Sequence, residues 1–212
     1  MKTIDLITTK TYSRASCAVF FRTRKQWGEL ANPHNDFPLA LRDEKILSTE
    51  HLYQALRFPD HPDVQRIVMG TTGAIPAKRK AYEHISLTTK QWVDGGMNVR
   101  AMKVVTALKL AQYPDTILPI LAASEGRDIV EQSSHDDFWG ARTLDGTEKG
   151  EQLSGVNVLG QIWMSHRCAI ESGQLPAKHL EQQDTTGLML YGEPLSSFLH
   201  AVETQDVQRA LI

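Results

Sequence analysis

The chain has 212 residues, of which 41% are hydrophobic and 23% charged. That balance excludes a disordered or low-complexity polymer and fits a folded chain able to bury one sizeable core. A net charge of −2 provides no global basic field, so any contact with a polyanion has to rest on local clusters. Cys17 and Cys168 are far apart and without CxxC spacing, which argues against a disulfide framework or a thiolate zinc site and for a reducing compartment.

In chain order, residues 1–16 carry few order signals and are expected to be an N-terminal segment. They show no long apolar stretch of a leader type, and no window approaches the roughly 18 apolar residues of a membrane span, so the expected location is cytoplasmic. The apolar, aromatic run at 17–21 predicts a buried strand. Arg22, Arg24, Lys25 and Trp27 follow, either a solvated edge or a contact for a polynucleotide backbone. The runs at 37–41 and 45–47 predict a small hairpin across 42–44. Ser48 or Thr49 reads as a helix N-cap, and residues 50–57 continue that helix. Pro59 and Pro62 end it and start another over 63–69. Pro76 suits the first turn of a short helix reaching Tyr82.

Trp92 precedes a Gly95–Gly96 hinge, and Asn98 is placed to cap the clearest helix, over 99–113, which Pro114 stops. A short apolar helix over 116–123 and a short strand over 128–131 come next. Glycines 140, 146, 150, 155 and 160 punctuate a polar loop before a helix over 157–171 that Gly173 ends. Beyond a linker at 174–176, helical patches at 177–182 and 195–211 surround a segment running from Gly187 to Gly192. Helix dominates and strands are few. The expected fold is mainly helical α+β, with a single catalytic domain over 17–173 and an extension over 174–212 packed on it.

Three polar stretches stand out. The first is EQSSHDDFWG at 131–140, which joins hydroxyls, a histidine, acids and aromatics and is poor material for a core. Asp136 and Asp137 are ordinary turn formers. Beside Trp139 and Gly140 they also suit a pocket in which a ring stacks and a carboxyl group handles protons. The second is STEHLYQA at 48–55. Glu50 and Gln54 lie one turn apart on one helical face, with His51 beside them. The macrodipole alone explains a glutamate there; the functional alternative is general acid–base work on a sugar. The third is NVLG at 157–160, a helix start able to offer backbone amides to phosphate. Lys78, followed by Arg79 and Lys80, is a solvated cation, a phosphate contact or an amine activated by neighbouring charge. Eight histidines show neither HxH nor HExxH spacing, so no metal is expected.

These stretches, with GELAN at 28–32, PAK at 76–78, Trp92, Met102, Lys109 and Pro114, recur in an order that resembles the NADAR family, named for NAD and ADP-ribose. The resemblance covers about residues 17–171. It implies N-glycosidase chemistry without a cofactor, on one of two substrates. One branch hydrolyses early riboflavin-pathway intermediates. The other removes ADP-ribose from guanine in nucleic acid, reversing a DNA ADP-ribosyltransferase toxin. Carried residue by residue, it implies that the three stretches meet at one pocket, with Glu50, Lys78 and Asp136 as catalytic residues. The binding set is Glu29, Asn32, His51, Gln54, Trp92, Arg100, Trp139, Gly140, Asn157 and Gly160. The loop at 142–154 is longer than in the compact family pattern, and the tail lies outside it. Both suit ADP-ribosylated DNA as substrate, an antitoxin role and a cognate toxin as partner. Trp139 is expected to stack on a ring, the 157–160 helix start to hold phosphate, and Lys78 to trap the ring-opened sugar as a Schiff base.

Overall fold

The computed structural model describes residues 4–42 and 44–199. In chain order the elements are β1 (Lys10–Ser13), β2 (Cys17–Phe20), β3 (Leu39–Leu41), β4 (Glu44–Ile46), α1 (Thr49–Ala55), α2 (Pro62–Met69), α3 (Ala74–Glu83), α4 (Met97–Gln112), α5 (Pro114–Ala123), β5 (Asp128–Glu131), β6 (Arg142–Thr143), β7 (Gln152–Gly155), α6 (Val158–Glu171), α7 (Pro176–Glu181), β8 (Met189–Leu190) and β9 (Glu193–Pro194). The fold is mainly helical α+β, with short strands in small sheets. None of the described helices is long and apolar enough to cross a membrane.

The chain forms two compact units, each built from two stretches of sequence. The first takes Met1–Ala31 and Tyr113–Pro176; the second takes Asn32–Gln112 and Ala177–Ile212.

In the first unit, β2 pairs parallel with β5, in a register that sets Cys17 opposite Asp128 and Phe20 opposite Glu131. Parallel neighbours need a long crossover, and here more than a hundred residues separate the two strands in sequence. Helix α6 packs on β5. A second sheet runs β1–β7–β6, antiparallel throughout. Tyr12, Cys17, Val130, Ala141 and Leu153 close a small apolar core between strands. Arg14 joins two stretches of this unit: its Nε donates to the Gly150 carbonyl at 2.8 Å and its Nη2 to Gln132 Oε1 at 2.8 Å.

Two expectations are corrected here. Residues 10–13, read as carrying few order signals, are a strand, because β7 supplies the partner that a four-residue polar run lacks by itself. The glycine-punctuated stretch at 142–154 is a β-hairpin rather than an irregular loop. Its turn is shaped by Asp145, whose Oδ1 accepts from the backbone N–H of Thr147, and by Gly146 at φ 72°.

In the second unit, α1 is packed against α2, α3 and α4. Leu52, Ala55 and Leu56 are fully buried, as their i, i+3, i+4 spacing requires. The hairpin β3–β4 forms where expected, but Glu44 belongs to β4, opposite Leu41, rather than to the turn. Helix α4 begins at Met97, one residue before Asn98, so Asn98 is not the cap expected of it; its Oδ1 accepts the Val99 amide at 2.7 Å. Lys109 is fully buried, its ammonium 4.5 Å from the Phe37 ring centroid. Gln65 ties residues 177–199 to the helices: its amide donates to the Ala55 and Met189 carbonyls and its oxygen accepts the Tyr191 N–H. The expected helix at 195–211 extends mostly beyond the described residues.

Candidate functional site

Glu50 stands in the first turn of α1, where the macrodipole favours an anion. Its N–H donates to the Asn32 carbonyl at 3.3 Å. One turn on, Gln54 Nε2 donates to Glu50 Oε1 at 2.8 Å. The other end of that amide accepts from Arg57 Nη1 at 3.4 Å, which fixes its orientation. Arg57 in turn lies over the rings of Tyr82, at 5.0 Å, and Trp92, at 5.7 Å. Trp92 packs on Tyr53 with centroids 5.2 Å apart. Glu50, Gln54 and Arg57 thus form a chain of contacts at i, i+4 and i+7. Glu50 is half-buried. Burial therefore raises its pKa, against the Gln54 hydrogen bond and the charges of Lys78 and Arg57, which pull it down. Lys78 itself is exposed on α3.

Three buried polar atoms around Glu50 have no hydrogen-bond partner among the described residues: Asn32 Oδ1, Thr49 Oγ1 and Arg57 Nε. Asn32 donates through Nδ2 to Met102 Sδ. Such atoms are costly inside a protein and are the kind that a polar ligand satisfies. His51 is fully buried, with its ring nitrogens on Ser48 Oγ at 2.8 Å and the Thr71 carbonyl at 3.3 Å. Burial lowers its pKa, so it is a neutral brace in the core. Arg100 is held by Asp184 at 2.7 Å and by the Thr186 carbonyl, anchoring residues 184–186.

In the other unit, Glu29 lies in the 3₁₀ turn Gly28–Leu30 and is half-buried. Asp136 is half-buried and organises its own loop: Oδ1 accepts the N–H groups of Phe138 at 3.0 Å and Trp139 at 2.8 Å. Trp139 is half-buried and meets Phe138 edge to face, at 5.2 Å. Gly140 is obligatory, since a Cβ there would lie 2.6 Å from the Glu131 carbonyl oxygen. The bracing role of Asp136 is separable from a chemical one. Asp136→Ala is expected to lower Tm by about 2–8 °C, whereas Asp136→Asn, which keeps the acceptor, leaves Tm within about 2 °C. Thermal melts of the two variants check this. A loss of turnover in the asparagine variant with Tm unchanged isolates the proton-carrying role.

Two expected ligand contacts have other duties. Asn157 is fully buried in the left-handed region at φ 57°. Its side chain accepts the Glu131 N–H and donates to the Ile129 carbonyl, both at 2.9 Å, so it stitches α6 to β5. At the start of α6, two of the amides expected to hold phosphate are engaged within the protein. Val158 N–H donates to the Phe138 carbonyl and Leu159 N–H to the Trp139 carbonyl, each at 3.0 Å. Gly160 is there for packing: a Cβ would fall 2.1 Å from the Ile129 oxygen. Among the described residues, no three His, Cys, Asp or Glu side chains gather where they could hold a metal ion.

The sequence reading left out Arg57 and Tyr82. The signal was present for Arg57, which continues the Glu50–Gln54 face by another turn.

The sequence pattern of the NADAR domain matches residues 19–171. Among solved structures, the NMR structure of the E. coli protein YbiA is similar, with a TM-score of 0.58 and 22% identity over 76% of this chain and 94% of YbiA. At that identity the likeness speaks for the fold. No curated protein matches the chain.

Proposed function

The chain belongs to the NADAR family, which includes N-glycosidases, and on that premise we propose that it hydrolyses the bond between ADP-ribose and guanine in DNA, reversing the action of a DNA ADP-ribosyltransferase toxin. The observation that carries this reading is Glu50, half-buried, its carboxyl braced by Gln54 and lying in the field of Lys78. A carboxyl group with a raised pKa keeps its proton to higher pH than an ordinary carboxyl group does and is suited to donate it. In the proposed sequence, Glu50 gives its proton to the ribose ring oxygen as the bond from that oxygen to C1 breaks. The Lys78 amine adds to C1, and guanine departs with the electron pair of its C–N bond and a proton. Water then adds to the resulting Schiff base, frees Lys78 and leaves the C1 aldehyde, which closes again to ribose.

A larger substrate than a metabolite is favoured by the β6–β7 hairpin and by the exposed cations Arg24 and Lys25. The proposed partner remains the cognate toxin, through its product. Borohydride added during turnover is expected to fix one ADP-ribosyl adduct on Lys78, read by peptide mass analysis and absent from Lys78→Ala. Turnover with no adduct would remove the covalent step. Efficient cleavage of a phosphoribosylated aminopyrimidine, with modified DNA untouched, would move the assignment to the riboflavin branch. ADP-ribose binding without turnover of either substrate would make the chain a binding module.

A further inference from the structure

Helix α3 rests on its neighbours through small residues, Ala74, Ala77 and Ala81, all buried. What it turns outward is a stripe at i, i+3, i+4 and i+7: Ile75, Lys78, Arg79 and Tyr82. Ile75 is 71% exposed and Tyr82 49%. Close by in sequence, Ile85, Leu87 and Val93 are exposed as well. Single exposed apolar residues are ordinary; here five large ones fall within twenty residues of sequence, two of them on the outward stripe of α3.

The charges on this surface select the partner. Lys78, Arg79 and Lys90 are exposed and form no ion pair among the described residues, while Lys80 is held by Glu83. This positive excess sits in a chain whose net charge is −2. We infer that the α3 face, extended by Ile85, is a docking surface for a single strand of nucleic acid. Aliphatic and aromatic side chains interleaved with cations match a polymer that alternates flat apolar bases with phosphates. From Ile75 to Tyr82 the helix rises roughly 10 Å, enough for about three stacked nucleotides. Lys78 lies in this stripe and also within the field felt by Glu50. A strand held along α3 would thereby touch a residue of the proposed catalytic set, and the inference rests on the reading above.

The test measures strand binding without turnover. Fluorescence anisotropy with an unmodified, labelled oligothymidine is compared for the full-length wild type, Arg79→Glu and Ile75→Glu. Both substitutions are at exposed positions outside the proposed catalytic set, and thermal melts confirm that they fold. Each variant is expected to bind about ten-fold more weakly at low salt, and Arg79→Glu to reduce the salt slope by about one. Hydrolysis of ADP-ribose joined to free guanosine should be unchanged in both. A wild type that does not bind the strand, or variants that bind it equally well, would overturn the inference. So would a dimer of the chain that Ile75→Glu dissolves while strand affinity is unaltered. Binding as expected but with no hydrolysis of any substrate would uphold the surface and reject the glycosidase reading.

Discussion

Glu50→Gln is expected to lower turnover by about 100- to 10,000-fold while making the folded protein more stable at pH 8. The kinetic loss is the usual scale for removing a general acid. Its pH dependence follows from the direction of the shift. Burial raises the Glu50 pKa, so the proton is retained through the ordinary carboxylate range and lost as pH rises through the raised value. Wild-type activity should therefore fall along an alkaline limb governed by Glu50, and the glutamine variant should lack that limb. The stability change has the opposite sign for the same reason. Below the unfolded-state pKa, about 4.3, glutamate is protonated in both states and the burial penalty vanishes. As pH rises from there to the raised folded-state value, ionisation increasingly favours the unfolded chain, and above it the penalty is complete. Glutamine keeps a hydrogen-bonding side chain for Gln54 and carries no charge. Thermal melts across pH should show the variant gaining on wild type through that window and level with it in acid. A variant that is both inactive and less stable at pH 8 would mean that the carboxylate is structural.

Gly160→Ala should have the largest effect on stability. The added methyl would lie 2.1 Å from the Ile129 carbonyl oxygen and 2.5 Å from both polar atoms of the Asn157 amide. Neither neighbour can yield cheaply. Ile129 is the second residue of β5, paired with β2, and the Asn157 amide is held at both ends by the same strand. Relief means parting α6 from β5, at a cost of about 3 kcal/mol or more, which lowers Tm by roughly 6–12 °C or leaves the protein insoluble. Gly73→Ala is the matched control. Its Cβ would meet only the Pro76 ring, Cδ at 3.6 Å and Cγ at 3.9 Å, and the backbone there is extended, so a change under about 1 kcal/mol is expected. Equal melting temperatures for the two variants would refute the packing role assigned to Gly160.

What could be read in advance follows how local the signal was. The α1 start at Ser48, the Pro62 start of α2 and the strands at 17 and 128 are written in caps, prolines and apolar runs, and the structure has them. The pairing of β2 with β5 was not legible, because nothing local links strands so distant in sequence. Strands β1 and β7 were missed for a related reason. KTYS and QLSG are too short and polar to predict a strand, and each is ordered by the other. At the candidate site, the i, i+4 spacing of Glu50 and Gln54 gave a real contact. Asn157 and the α6 start were read as ligand-facing because a buried polar brace and a ligand contact use the same residue types. Only the partners of the side chain tell them apart.

The most direct measurement is incubation of the protein with an oligonucleotide carrying ADP-ribose on one guanine, followed by mass analysis of both products. The account predicts free ADP-ribose and restored guanine from the wild type, and neither from Glu50→Gln. An unchanged oligonucleotide, from protein that cleaves a ribosylaminopyrimidine or only binds ADP-ribose, would contradict it.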